Sequence, residues 1–119
     1  MKNFKKLKIW EKGIQIVNEV YKIAQKLPEK EKYGLYSQIT RAAVSIPSNI
    51  AEGSSRKSEK DYYRFLEIAL GSAFEVETQT VIIETLNYVN KDELSVLYNL
   101  LDEEQMMIYG LMNKLEAKG

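Results

Sequence analysis

Residues 41–53, RAAVSIPSNIAEG, constrain this chain more than any other segment. They are mostly helix-forming residues around an internal Pro47, with small uncharged polar side chains where a surface helix would carry Lys and Glu. On a helix, Arg41, Ser45, Asn49 and Glu52 align as one stripe. Leu35, Ile39, Ala43, Ile46 and Ile50 form a second stripe, roughly opposite. A helix with one core face and one polar, charge-poor face is usually covered on both sides. The segment therefore predicts a central helix that meets its own bundle on one side and something else on the other.

The rest of the chain supplies three further helical patterns. Leu7, Trp10, Ile14, Val17, Tyr21 and Ala24 repeat at alternating spacings of three and four, a bundle seam on a helix from about Leu7 to Leu27. Pro28 and the charged run Glu29 to Lys32 end it. The second helix is expected from Leu35 to Glu52, kinked where Pro47 lacks a backbone donor and crowds the carbonyl of Ala43. Gly53 is expected to close it as a left-handed cap. Ser58 followed by Asp61 is a capping-box variant that opens a third helix reaching about Tyr88. Its seam is Tyr62, Leu66, Ala69, Ala73, Val76 and Ile83. Asn90 and Glu93 start a fourth helix to about Lys114, with Leu94, Leu97, Leu101, Glu104, Ile108, Leu111 and Leu115 on its seam. Glu104 interrupts an apolar pattern, which places it at a bundle end or in a subunit contact with a cation. No strand pattern competes. The reading is all-α, an antiparallel up-down-up-down four-helix bundle, with residues 1–119 as one domain.

Absent residue types exclude much chemistry. The chain has no His and no Cys. Zinc sites of the usual kind, Ser-His-Asp and Cys-His catalysis, haem ligation by those residues and disulfides are therefore all excluded. No glycine-rich nucleotide motif is present. No cofactor and no metal site is expected. Glu75 and Glu77, two apart, fall on different sides of a helix and make a poor acid/base pair. No apolar run is long enough for a bilayer, and the basic N-terminus lacks the apolar core of an export signal, so a cytoplasmic location is expected.

Zero net charge hides an asymmetry. Residues 1–64 hold 14 Lys+Arg against 7 Asp+Glu, a net of +7, and residues 65–119 hold 3 against 10, a net of −7. Three readings follow: a basic surface for phosphate backbones, complementary faces meeting head to tail in a ring, or halves that intermix and cancel. Lys5, Lys6, Lys8 and Lys12 crowd the start of helix one, and Arg56, Lys57, Lys60 and Arg64 the start of helix three. Lys5, Lys8, Arg56, Lys57, Lys60 and Arg64 are the candidate phosphate contacts, with Tyr62 and Tyr63 near enough to stack on bases. The alternative is a solvated surface with interleaved counter-charges. Helix three also carries Ser72, Glu75 and Gln79 on one stripe, beside the small Gly71 and Ala73. This stripe can meet Arg41, Ser45, Asn49 and Glu52 as a structural hydrogen-bond network, within one subunit or across two. Arg41 with Glu75 is the expected pairing, because a partly buried guanidinium needs a carboxylate. A ligand site is the competing reading of the same groups.

The stretches RAAVSIPSNIAEGSSR and FLEIALGSAFEVETQ strongly resemble the bacterial four-helix-bundle family of 23S rRNA intervening-sequence proteins. Trp10, Tyr33 to Leu35, and Asn87 with Tyr88 extend the resemblance over nearly the whole chain. Arg41, Ser45, Asn49, Glu52 and Gly53 match its first signature, and Gly71, Ser72, Glu75 and Gln79 its second. The resemblance implies a bundle assembling into a ring, a homopentamer in known relatives. The accessory protein of diversity-generating retroelements, a basic barrel working with nucleic acid, looks similar. This chain departs from that protein in charge, with a pI near 6.4. The leading expectation is a non-enzymatic cyclic homo-oligomer with RNA or a nucleoprotein as partner and no membrane. The alternative is a protein–protein scaffold whose charge asymmetry serves ring assembly. An enzyme stands third, and would need a pocket that raises the pKa of Glu52, Glu75 or Glu104.

Overall fold

Four helices follow one another in the computed structural model, which describes residues 3–118 and the side chains of residues 3–116. They are α1 (Lys8–Ala24), α2 (Leu35–Ser54), α3 (Glu59–Thr85) and α4 (Lys91–Lys118). Short 3-10 turns at Phe4–Lys6 and Glu29–Glu31 precede α1 and α2. No strand occurs among the described residues. At 1.5 Å per residue α3 and α4 each span roughly 40 Å, close to the 45 Å long axis of the molecule.

Cross-helix bonds fix the directions. Lys12 pairs with Glu103 and Lys26 with Glu93, so α1 and α4 are antiparallel. Ser45 bonds Ser72 and Gln38 meets Gln79, so α2 and α3 are antiparallel. Tyr98 bonds Glu84 and Gln105 bonds Glu77, which sets α4 against α3. The topology is up-down-up-down, with α2–α3 the most extensive helix pair and α1–α4 the least.

One apolar cluster runs through all four helices. Ile39, Ala43, Ile46 and Ile50 of α2 are fully buried, as the spacing predicts, and so are the expected seam residues of α3. In α1 the seam is turned by one position. Ile9, Gly13, Ile16, Val20 and Ile23 face the core, whereas Trp10, Ile14 and Val17 are half-buried and Tyr21 is exposed. Both sets have the same spacing, one residue apart. The aliphatic set enters the core because it carries no polar atom, while Trp and Tyr can leave their N–H and O–H near water. Ala24 is buried in either register.

All four helix C-termini differ from expectation, α3 among them, which stops at Thr85 rather than Tyr88. α1 stops at Ala24, and Glu31 in the following turn does more than terminate it. Its carboxylate accepts from the Leu35 N–H at 3.2 Å and from the Tyr88 hydroxyl at 3.0 Å, tying the start of α2 to the end of α3. Asn87 takes the left-handed conformation (φ 60°) just after α3, a role asparagine tolerates. α4 runs past Lys114 to Lys118, and Met112 is buried where Leu111 is only half-buried. The two predicted caps are present. Ser58 Oγ accepts from Asp61 N–H at 3.1 Å, and Asn90 Oδ1 accepts from Glu93 N–H at 2.9 Å.

Gly53 is not a left-handed cap. α2 continues through Pro47 and Gly53 to Ser54, and no glycine in the described chain has positive φ. Gly53 is needed instead for close packing: a Cβ there would stand 2.6 Å from Phe65 Cβ and 3.1 Å from Tyr62 Cδ1. α3 crosses α2 where α2 presents no side chain.

Candidate functional site

The bundle brings the two cationic clusters of the sequence to one end. α1 begins where α2 ends, and α3 begins one short loop later. The turn at Phe4–Lys6 packs on α2, and a groove lined by Asn3, Phe4, Ser48, Glu52, Ser54 and Ser55 separates the clusters. Lys5, Lys6 and Lys8 are exposed beside or just after its Phe4 wall, and Arg56 and Lys57 follow its Ser55 wall. Lys8 also lines a groove toward Glu103 of α4, and Lys60 one between α3 and α4, while Arg64 is exposed one turn further along α3. The interleaved Glu59 and Asp61 complement the N-terminus of α3.

These cations are not equivalent. Arg56 donates to Glu52 at 2.6 Å and lies over the Phe65 ring at 4.7 Å, so half of its fork is already engaged. Lys12 is half-buried and held by Glu103 at 3.2 Å. Among the described residues, no carboxylate lies within 4 Å of Lys5, Lys8, Lys57, Lys60 or Arg64, which leaves their charges turned to solvent. Tyr62 is a core residue, 5% exposed, and is not offered to a base. Tyr63 sits beside the carboxylates of Glu116 and Glu67. Tyr62 cannot form the expected stacking platform, because α3 turns it inward against Gly53, whereas Tyr63 is partly exposed and lines another groove with Lys60. The aromatic residue in the groove is Phe4, set edge-on to Trp10 at 5.4 Å. Its sequence signal is its place inside the basic run Asn3 to Lys8.

The polar stripes of α2 and α3 do meet, but through other partners. Ser45 and Ser72 hydroxyls bond at 2.8 Å, and Asn49 Nδ2 donates to the Ser45 carbonyl and hydroxyl at 2.8 and 2.9 Å. Gln79 Nε2 reaches Gln38 Oε1 at 3.5 Å, a residue the stripe analysis missed. Arg41 and Glu75 are both exposed and form no ion pair. Ser45 opposite Ser72 sets a register that places Val76 across from Arg41, so within one chain Arg41 and Glu75 are both left facing outward. Glu52 is taken by Arg56.

The second face of α2 is uncovered within one chain. Val44 and Ser48 are exposed, and a groove between α1 and α2 is lined by Trp10, Ile14, Val17, Val44, Pro47 and Ala51. Ile68, Phe74, Val81 and Ile82 of α3, and Leu86 just after it, are also exposed. Gly71 has no neighbour within 4 Å of a would-be Cβ, so no backbone among the described residues approaches it.

Glu104 lies neither at a bundle end nor on the surface. It is 0% exposed, and neither carboxylate oxygen has a hydrogen-bond partner. Burial pushes its carboxyl up to about 8, only partly opposed by the charge of Lys12. A Cβ at Gly13 would stand 3.3 Å from Glu104 Oε2 and 3.2 Å from Pro47 Cβ, so the carboxyl reaches from α4 to the α1–α2 contact. The sequence pattern put a charged residue on a core position, and the structure leaves it there. The surface grooves on either side of α1 are lined by other residues. Among the described residues no three His, Cys, Asp or Glu side chains are grouped to hold a metal ion, and no helix is long and apolar enough to cross a membrane.

The fold and this surface define a class: a small antiparallel four-helix bundle with a cationic end and an open second face on its central helix. The chain belongs to the 23S rRNA-intervening sequence protein family, whose model matches residues 5–110. Among solved structures it is similar to a protein of unknown function from the S23 ribosomal protein family of Bacteroides thetaiotaomicron VPI-5482. That likeness has a TM-score of 0.81 at 22% identity and covers 87% of this chain and 97% of the other. It speaks for the fold alone. No curated protein matches.

Proposed function

We propose that this protein is a non-enzymatic, self-assembling bundle of the cytoplasm that binds structured RNA through its cationic end. The supporting observation is convergence: clusters some fifty residues apart in sequence come to one end of the bundle, and Lys5, Lys8, Lys57, Lys60 and Arg64 there lack carboxylate partners among the described residues. Solvated cations grouped over a few helical turns recognise phosphate spacing rather than bases. The family's name points to ribosomal RNA as the first probe. Arg56, tied to Glu52, positions the loop and adds a partial contact.

Fluorescence anisotropy with a structured ribosomal RNA fragment, and with duplex DNA for comparison, tests this across a salt series. Engagement of these five cations gives a slope of log K against log salt of about −3.5 to −4.5. The double variant Lys57→Glu, Lys60→Glu is expected to weaken binding at least tenfold and to flatten the slope. Absent binding at low salt, or binding indifferent to salt, rejects the reading.

A second reading, a ring scaffold without nucleic acid, is favoured by the uncovered face of α2 and the exposed apolar residues of α3. By resemblance the ring is a pentamer. Gly71→Ala separates chain stability from assembly. With no neighbour for the new methyl, the monomer gains roughly 0.5–1 kcal/mol in helix propensity. A second backbone packed on Gly71 would make the same methyl weaken assembly. Sedimentation velocity reads the oligomer directly, and unchanged assembly by the more stable variant removes Gly71 from any interface.

A further inference from the structure

We infer that Glu104 is a proton-operated latch on the α1–α4 seam: the helices close over the protonated carboxyl, and its ionisation lifts α1 so that Lys12 exchanges Glu103 for Glu104. The inference rests on geometry and is independent of the RNA reading.

Three observations place the latch. Glu104 is fully buried with both oxygens unpartnered, a condition a protein interior sustains for a neutral acid and not for a carboxylate. Its Oε2 faces Gly13, and the missing side chain there is what lets α1 close over the carboxyl. The contact it sits in, α1 with α4, is the least extensive of the adjacent helix pairs and so the least costly to open.

The surroundings name the counter-ion. The inward face of α1 (Ile9, Gly13, Ile16, Val20) and that of α2 (Ile39, Ala43, Ile46, Pro47, Ile50) carry no ionisable group. The buried face of α3 has only Tyr62, which packs at Gly53. α4 itself adds Glu103 and Asp102, both exposed. Lys12 is the charged group whose field favours the ionised carboxyl. It adjoins Gly13 in sequence, and its present partner Glu103 adjoins Glu104. A small outward movement of α1 therefore exchanges one carboxylate for the next. Pro47, which Gly13 faces, lines the outer α1–α2 groove, so opening the latch reshapes that surface.

Native-state hydrogen exchange on the full chain, with site-resolved NMR of the Glu104 carboxyl, tests the latch. Opening that releases one proton makes protection at Gly13 to Ile16, corrected for intrinsic rate, fall about tenfold per pH unit from pH 5 to 8. This exchange should be insensitive to low urea, the sign of a local opening. In Glu104→Gln the pH slope vanishes. In Lys12→Gln the open state loses its counter-ion, and the alkaline exchange at α1 slows several-fold. A carboxyl titrating in the usual range overturns the inference. So does α1 exchange that shares one urea dependence with α2 and α3, because the whole bundle would then be opening. Should Glu104→Gln not fold, the native chain and Lys12→Gln decide alone.

Discussion

Replacing Glu104 with glutamine is expected to raise the unfolding free energy by about 2–4 kcal/mol at pH 7.5 and to change little at pH 4.5. The sign follows from linkage. The unfolded carboxyl titrates at its ordinary 4.5, whereas burial holds the folded one up to about 8. Between those values the folded chain keeps a proton that the unfolded chain has lost, so raising the pH favours unfolding. Stability is fully present below pH 4.5, declines through neutrality and flattens above about pH 8. Glutamine has the shape of the protonated acid and leaves comparable polar atoms unpaired, so it removes the titration and little else. Urea unfolding of both proteins at pH 4.5, 6 and 7.5 measures it. Parallel curves at every pH would show that Glu104 ionises without cost, and the core assignment of its carboxyl would be wrong.

Gly53→Ala is expected to destabilise the chain by about 1–3 kcal/mol, although alanine is the better helix former by roughly 1 kcal/mol. The local preference is overridden by contact. The new methyl would overlap Phe65 Cβ at 2.6 Å, an atom fixed to the α3 backbone that cannot rotate away. Relief requires α3 to move off α2, across the most extensive contact in the molecule. Thermal unfolding of Gly53→Ala beside Gly71→Ala makes the comparison internal. The same substitution, in mid-helix or near a helix end, should lower the midpoint at Gly53 and raise it at Gly71. Two shifts of the same sign would refute the close crossing.

The two glycines show where sequence reasoning runs out. Gly53 follows Glu52 at the end of a helical pattern, where a left-handed cap is the ordinary expectation. Only the position of Phe65 twelve residues on reveals that a side chain is forbidden there. α1 makes the same point. Two apolar stripes with identical spacing lie one residue apart, and periodicity cannot choose between them. The choice is made by what the other helices bring to the core. The polar stripes were legible as stripes, and Ser45 with Ser72 came together. Within one chain Arg41 with Glu75 did not, because the register that joins Ser45 to Ser72 sets Val76, not Glu75, across from Arg41. The cationic clusters were each legible along the chain, while their convergence is a consequence of antiparallel packing. Tyr62 carried two possible roles in sequence, core and base platform, and its burial settles which.

By itself the sequence determined the number of helices, their polar caps at Ser58 and Asn90, the core faces of α2 and α3, and the family. These are local or strongly periodic properties, set by spacings of three and four and by side chains bonding their own backbone. The tertiary structure alone decided the face of α1, the purpose of Gly53, the exposure of Arg41, the partner of Arg56, and the burial of Glu104. Each of these depends on atoms far apart in the chain, and side-chain packing is sensitive to shifts far smaller than a helical turn.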